Sequence, residues 1–259
     1  MADTDTHSID LDALEADFRR DGYVVVSGLL DDAELDALEV ALTTLQAAVG
    51  DGSIDRSRYG GDYLTAAAPG ETAPFVHYVK DVTRLSPEAY DAFHHRVLLE
   101  LLQRCFDGAV PWEFDESLGA RFGVVYQDAR PGTEMAYTRI GWHSDHQAFP
   151  NSDWFPSIAL TFHVDATSPA NGFLRVVPGS HRWPTDDMPL GFEKIRGEVP
   201  VYCDRGDVIL HHCDLWHSAA RATEDPPGGV RRHLRGSWNA GRRPAPDEEI
   251  EPFNKNAAR

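Results

Sequence analysis

The stretch SIALTFHVDATSPANGFLRVVPGSHR, residues 157–182, decides the fold: two runs of aliphatic, aromatic and β-branched residues flank a turn built from Thr, Ser, Pro, Asn and Gly. Runs of the same kind lie on both sides of it, at ARFGVVYQDA (120–129), MAYTRIGWHSDH (135–146), VPVYCDRGDVILHH (199–212) and RRHLRGSWNA (231–240). Six such runs between about residues 119 and 240, punctuated by Gly, Pro, Asn and Asp, predict an all-β core.

Upstream the period changes. LDALEADFRRDGYVVVSGLLDDAELDALEVALTTL (11–45) reads as helix, short β-run and helix, with Asp31 or Asp32 to cap the second helix. SPEAYDAFHHRVLLELLQRCFDG (86–108) predicts one helix, with Ser86 as N-cap, Pro87 at its first position and Gly108 just past its end. Its His94 and His95 read as packing or surface residues. Between the two lies 50–75, rich in Gly, Ser, Ala and Asp, a long loop suited to a lid. Helices before strands give a mainly β fold with flanking helices: a double-stranded β-helix, or cupin-like jelly roll, with a cavity between its sheets. We expect a single domain over 1–259, its helical part at about 10–108, its β core at about 119–240 and a tail at 241–259.

Composition narrows the function. A net charge of −18 and the absence of a clustered basic patch argue against nucleic acid and anionic membrane as partners and for a small-molecule substrate. No apolar run approaches a membrane span or a signal sequence, so a cytoplasmic protein is expected. The three cysteines, Cys105, Cys203 and Cys213, have no C-x-x-C spacing, which favours buried free thiols.

The chemistry concentrates in histidine. With 12 His and 42 acidic residues, about two His-x-acid patterns are expected by chance, and three His-x-Asp occur: His143/Asp145, His163/Asp165 and His212/Asp214. On a strand, residues i and i+2 share a face, so each pair can present a nitrogen and an oxygen to one cation. Two imidazoles and one carboxylate on one face of an octahedral metal leave three positions open, as Fe(II) requires to hold a bidentate co-substrate together with O2. The second imidazole should come from another strand facing the cavity. His217 in GDVILHHCDLWHSAA suits this best, delivered by the apolar strand that starts at Gly206–Asp207.

Four blocks in order resemble the phytanoyl-CoA dioxygenase family of Fe(II)- and 2-oxoglutarate-dependent oxygenases: FRRDGYVVVSGLLDDAELDAL, WHSDHQAF, SIALTFHVDATSPANGFLRVVPGSHR and GDVILHHCDLWHSA. The resemblance implies a metal triad of His143, Asp145 and His217 and a co-substrate arginine at the start of the next strand. Arg231 is that residue, with Arg232 and Arg235 as alternatives, because a one-residue slip turns the side chain to the other face. A planar guanidinium makes the bidentate pair that a distal carboxylate calls for. What the resemblance implies for activity is oxidation of a small metabolite or natural-product intermediate, most simply hydroxylation, with release of succinate and CO2. Related halogenases replace the triad carboxylate with a small residue; Asp145 therefore points away from halogenation. His146, Trp154 and His233 are candidate substrate contacts. The chain departs from the family pattern after His217, where SAARATEDPPGGV lacks the usual Ser and Asn and lengthens the loop to Arg231. Two other readings stand beside this one: a non-catalytic jelly-roll binding module, and a zinc protein using His211 or His212, Cys213 and His217.

Overall fold

The computed structural model describes residues 9–60, 76–113, 123–129, 140–148, 153–189, 191–220, 230–245 and 248. Helix α1 (Leu11–Asp21) begins at Asp10, whose carboxylate accepts from the N–H groups of Asp12 and Ala13, and ends at Gly22. At φ +80°, and with a Cβ that would lie 2.4 Å from His181 Nδ1, position 22 admits only glycine. Strand β1 (Tyr23–Val26) follows, then α2 (Asp32–Asp51). Of the two caps expected for α2 the structure uses Asp31, in a reciprocal capping box with Glu34 that contributes about 1 kcal/mol.

Two expectations for the helical part need correction. The loop expected from residue 50 starts as helix, since α2 runs to Asp51 and α3 (Arg56–Tyr59), capped by Asp55, follows it; the rest of the lid candidate, 61–75, lies outside the described residues. After β2 (Tyr78–Val79) and α4 (Val82–Leu85), the single helix expected over 86–108 is two, α5 (Pro87–Phe93) and α6 (Arg96–Cys105). His94 breaks it by folding its ring back onto Tyr90, where it stacks at 3.9 Å and bonds the Tyr90 carbonyl, while His95 caps the new helix at Val97. The break lets α6 turn Leu98, Leu101 and Leu102 into the core.

The strands are β3 (Trp112–Glu113), β4 (Val125–Ala129), β5 (Ile140–His143), β6 (Ser157–His163), β7 (Leu174–Val176), β8 (Val199–Val201), β9 (Val208–His212), β10 (His217–Ala219) and β11 (Arg231–Asn239), with the short helix α7 (Asp145–Ala148) after β5. They form two antiparallel sheets, β1-β9-β6-β11-β4-β2 with β3 joined to β11, and β5-β10-β7-β8. From β4 to β11 the chain steps between the sheets, with β4, β6, β9 and β11 in the larger and β5, β7, β8 and β10 in the smaller. That alternation is the expected jelly roll.

The six expected runs become eight strands. VPVYCDRGDVILHH splits at a turn around Gly206 (φ +90°) into β8 and β9, which lie in different sheets. The strand expected to run from Gly206–Asp207 to His217 stops at His212, and a turn closed by the Leu215 N–H on the His212 carbonyl returns the chain to the smaller sheet as β10. The helical part, moreover, supplies β1 and β2 to the larger sheet, where they cover edges that the core strands leave open.

Alternation on the larger sheet separates two interiors. Leu160, Phe162, Leu210, Leu234 and Trp238 face the helices and pack with Phe18, Leu38, Phe93 and Leu101. The opposite face meets the smaller sheet, where Ile209 packs with Val176, Val201 and Leu215. Parity then sends His211, His163, Arg231 and His233 into the space between the sheets. Among the described residues no helix is long and apolar enough to cross a membrane.

Candidate metal centre

His143 ends β5 and His217 opens β10, and the two are direct register partners across the smaller sheet, with ring centroids 4.1 Å apart. The chain leaves the strand immediately after His143. Asp145 therefore does not share a strand face with it, as expected, but starts α7; Ser144 and Gln147 bond each other across this turn. The turn still delivers the carboxylate. Ligand atoms of His143, Asp145 and His217 all lie within 4.8 Å of one another.

The hydrogen bonds around the triad fix which nitrogen is free. His143 Nδ1 is 2.8 Å from the Gly141 carbonyl and His217 Nδ1 is 2.9 Å from the Leu215 carbonyl. A carbonyl only accepts, so each Nδ1 carries the proton and each Nε2 keeps its lone pair. In both cases the ring is steered by the carbonyl two residues back, a second-shell bond of the kind that orients metal-bound imidazoles. Burial pushes both histidines toward the neutral form, His217 well below the ordinary range. Burial opposes ionisation of Asp145, but the imidazoles of His217, His211 and His143 outweigh it and hold the carboxyl far below the usual carboxylate range. Two neutral imidazoles and a carboxylate at close quarters form a donor set for a divalent cation, with its ligands already in their binding states.

His211, which the sequence reading offered only as a zinc ligand, is a further member of the group around the triad. It sits on β9 with its side chain between the sheets, donates from Nε2 to Asp145 Oδ2 at 3.2 Å and lies tilted against the His217 ring, centroids 4.4 Å apart. The other carboxylate oxygen, Oδ1, lies 3.7 Å from His217 Nε2. His211 thus holds one oxygen of Asp145 and leaves the other directed at the triad. Strand parity was the available signal, since in VILHH only His211 shares the inward face of Ile209.

Of the two competing His-x-Asp pairs the fold divides His163 from Asp165 and keeps His212 beside Asp214. His163 points between the sheets, whereas Asp165 is held by Arg232 through Nε at 2.8 Å, Nη2 at 2.6 Å and the backbone N–H at 2.8 Å. His212 faces outward near Phe18 and His181, and Asp214 binds His146 Nδ1 at 2.9 Å. The local set offered for zinc is likewise split: His211 and His217 belong to the triad's surroundings. His212, Cys213 and Asp214 do form a second close group. There, the Asp214 N–H already occupies His212 Nδ1 at 3.1 Å, and burial pushes the Cys213 thiol up to about 12, against the thiolate that zinc requires.

The three arginines also separate. Arg232 projects to the helix side, bound to Asp165 and to Glu39 of α2 at 2.8 Å. Arg231 and Arg235 face between the sheets; Arg235 donates to the Tyr78 hydroxyl at 3.3 Å, while Arg231 is buried with its Nε unpartnered. His233 is buried beside His163, ring centroids 6.1 Å apart. His146 stands next to Asp145 with its ring 4.7 Å from Phe155, and Trp154 is buried near the same phenyl ring.

Among solved structures, EctD from S. alaskensis with 2-oxoglutarate and 5-hydroxyectoine superposes with a TM-score of 0.67 at 20% identity, over 100% of this chain and 86% of that one. The epimerase SnoN, in complex with Fe3+, α-ketoglutarate and nogalamycin RO, gives 0.65 at 21% identity over 96% and 97%. These likenesses establish the fold. An iron/α-ketoglutarate-dependent dioxygenase, ausU of Aspergillus calidoustus, is 30% identical over 116 residues, 42% of this chain and 36% of its own length, so the chain matches about a third of that relative. The model of the family described as phytanoyl-CoA dioxygenase matches residues 18–226, which take in all three triad positions and stop before β11, and the chain belongs to the phytanoyl-CoA dioxygenase family.

Proposed function

We propose that the protein is an Fe(II)- and 2-oxoglutarate-dependent oxygenase acting on a small metabolite or natural-product intermediate. The observation that carries this reading is the pair of Nδ1-to-carbonyl bonds that aim two Nε2 lone pairs at the place where Asp145 presents its free oxygen. His143, Asp145 and His217 would hold the iron and Arg231 the distal carboxylate of the co-substrate. Bound there, iron and 2-oxoglutarate supply an oxidant for a C–H bond, with O2 consumed and succinate and CO2 released. The chain's own work is positional: the carbonyls of Gly141 and Leu215 set the two rings, and His211 sets the carboxylate.

The Asp145 carboxylate fills the position that a halide would need, which supports oxygen insertion over halogenation. His146 and Trp154, on the chain that follows the triad carboxylate, are the side chains we assign to the substrate. A small organic substrate fits the neighbours, whose structures hold 5-hydroxyectoine and nogalamycin RO, and the net charge of −18 disfavours nucleic acid.

Anaerobic addition of Fe(II) and 2-oxoglutarate to metal-free protein tests the reading. A weak visible charge-transfer band of a chelated 2-oxo acid is expected, and Arg231→Ala should weaken 2-oxoglutarate binding about 10–100-fold, the worth of a charge-assisted hydrogen-bond pair. Tight metal binding without any such band would overturn it and leave the metal-binding jelly-roll module.

A further inference from the structure

Where β6 and β11 pair, the space between the sheets holds a group of polar side chains that the metal centre does not use. His163 and His233 are direct register partners, and Arg231 stands two residues before His233 on the same face. All three are buried, with 4%, 6% and 7% of their surfaces exposed. Among the described residues neither ring nitrogen of His163 has a hydrogen-bond partner, nor do His233 Nδ1 and Arg231 Nε. Such orphans are rare in folded proteins because each forfeits its hydration, and a buried cation without an anion is the costliest of them. The neighbours on the helix side offer no relief, since Asp165 and Glu39 are committed to Arg232.

The missing partner can be described by its chemistry. Burial, and then the charge of Arg231, push His163 down to about 3 and His233 well below the ordinary range, the latter against a backbone interaction with the Arg231 carbonyl, so both rings are neutral and each carries one N–H. Two N–H groups of the guanidinium and one from each imidazole make four donors, which match the four lone-pair sites of a carboxylate. A neutral ligand would leave the cation uncompensated. The register also places this group relative to the metal: Ala159 pairs with His211, and His163 lies four residues further along β6, about 13 Å at backbone level. A ligand that reaches from the triad to this group would meet the donors of Arg231, His163 and His233 with an acidic group at that end.

We propose that His163 and His233 are positioning residues that complete the Arg231 seat, each donating an N–H hydrogen bond to the distal carboxylate of a 2-oxo dicarboxylic acid. This rests on the oxygenase reading above. It also moves His233 from the substrate, where the sequence reading put it, to the co-substrate.

Two 2-oxo acids separate this role from a merely structural one. 2-Oxoglutarate and 2-oxovalerate chelate iron through the same end, but only the first has a distal carboxylate. Anaerobic titrations of the Fe(II) protein, followed by the charge-transfer band, should give His163→Leu and His233→Leu about 10–100-fold weaker binding of 2-oxoglutarate and unchanged binding of 2-oxovalerate. His163→Gln and His233→Asn, which restore a neutral donor, should recover most of the loss and serve where a leucine variant does not fold. Equal loss for both acids, or none for either, overturns the proposal while leaving the oxygenase reading in place. If the wild-type protein binds neither acid, both fail together.

Discussion

The two polar regions between the sheets are built on opposite terms. Around the triad every candidate ligand is already held: His143 and His217 by carbonyls two residues back, Asp145 by His211. Around Arg231 the side chains are packed, but among the described residues His163 Nδ1 and Nε2, His233 Nδ1 and Arg231 Nε lack a hydrogen-bond partner. One region spends its hydrogen bonds on orienting groups before a cation arrives. The other keeps its donors unmet until an anion supplies the acceptors. On the proposed reading the first is a preorganised metal site and the second a seat completed by its ligand, which would store instability in the ligand-free protein.

The contrast can be sharpened by mutation. The largest effect is expected at His211, the residue that holds Asp145 without belonging to the triad. His211→Leu should lower Fe(II) affinity about 10–100-fold in a chelator competition, the range for loss of a second-shell partner. Unchanged affinity would mean that the carboxylate is oriented by something else.

Next come the neighbouring arginines, for which the account requires opposite signs. Arg231→Met removes a buried unpaired cation, one whose guanidinium burial has pushed down to about 10, and should raise the unfolding free energy of the ligand-free protein by about 1–3 kcal/mol. Arg232→Met breaks a bidentate, partly buried pair with Asp165 and should lower it by about 1–2 kcal/mol. Denaturant titrations of the two variants check this directly. Destabilisation by both would show that Arg231 has partners in the ligand-free state, and the contrast between the regions would collapse.

How much of this could be read beforehand differs by region for physical reasons. The jelly roll was legible because short β-runs and turn residues record burial and chain reversal locally. Strand count was less so: CDRGD and CDLW reverse the chain inside apolar runs, and hydrophobicity alone does not mark the jump from one sheet to the other. The helix over 86–108 was misjudged because the break comes from the side chains of His94 and His95, not from Gly or Pro. His143, Asp145 and His217 stood out through their spacing and a family resemblance, although Asp145 reaches the centre from a helical turn and not from a strand. The surroundings were hidden. That His211 faces inward and His212 outward, or that Arg232 belongs to Asp165 while Arg231 has no counterion among the described residues, depends on strand parity, and parity is set by register across three strands.

The most direct test concerns which of the two metal-capable groups among the described residues binds the ion. Fe(II) bound per chain should be measured by elemental analysis on protein reconstituted anaerobically and desalted, for the wild type, Asp145→Ala and Cys213→Ser. The account predicts one Fe(II) per chain in the wild type and in Cys213→Ser, and loss of the ion in Asp145→Ala. Retention in Asp145→Ala together with loss in Cys213→Ser would place the metal at His212, Cys213 and Asp214 and contradict the account.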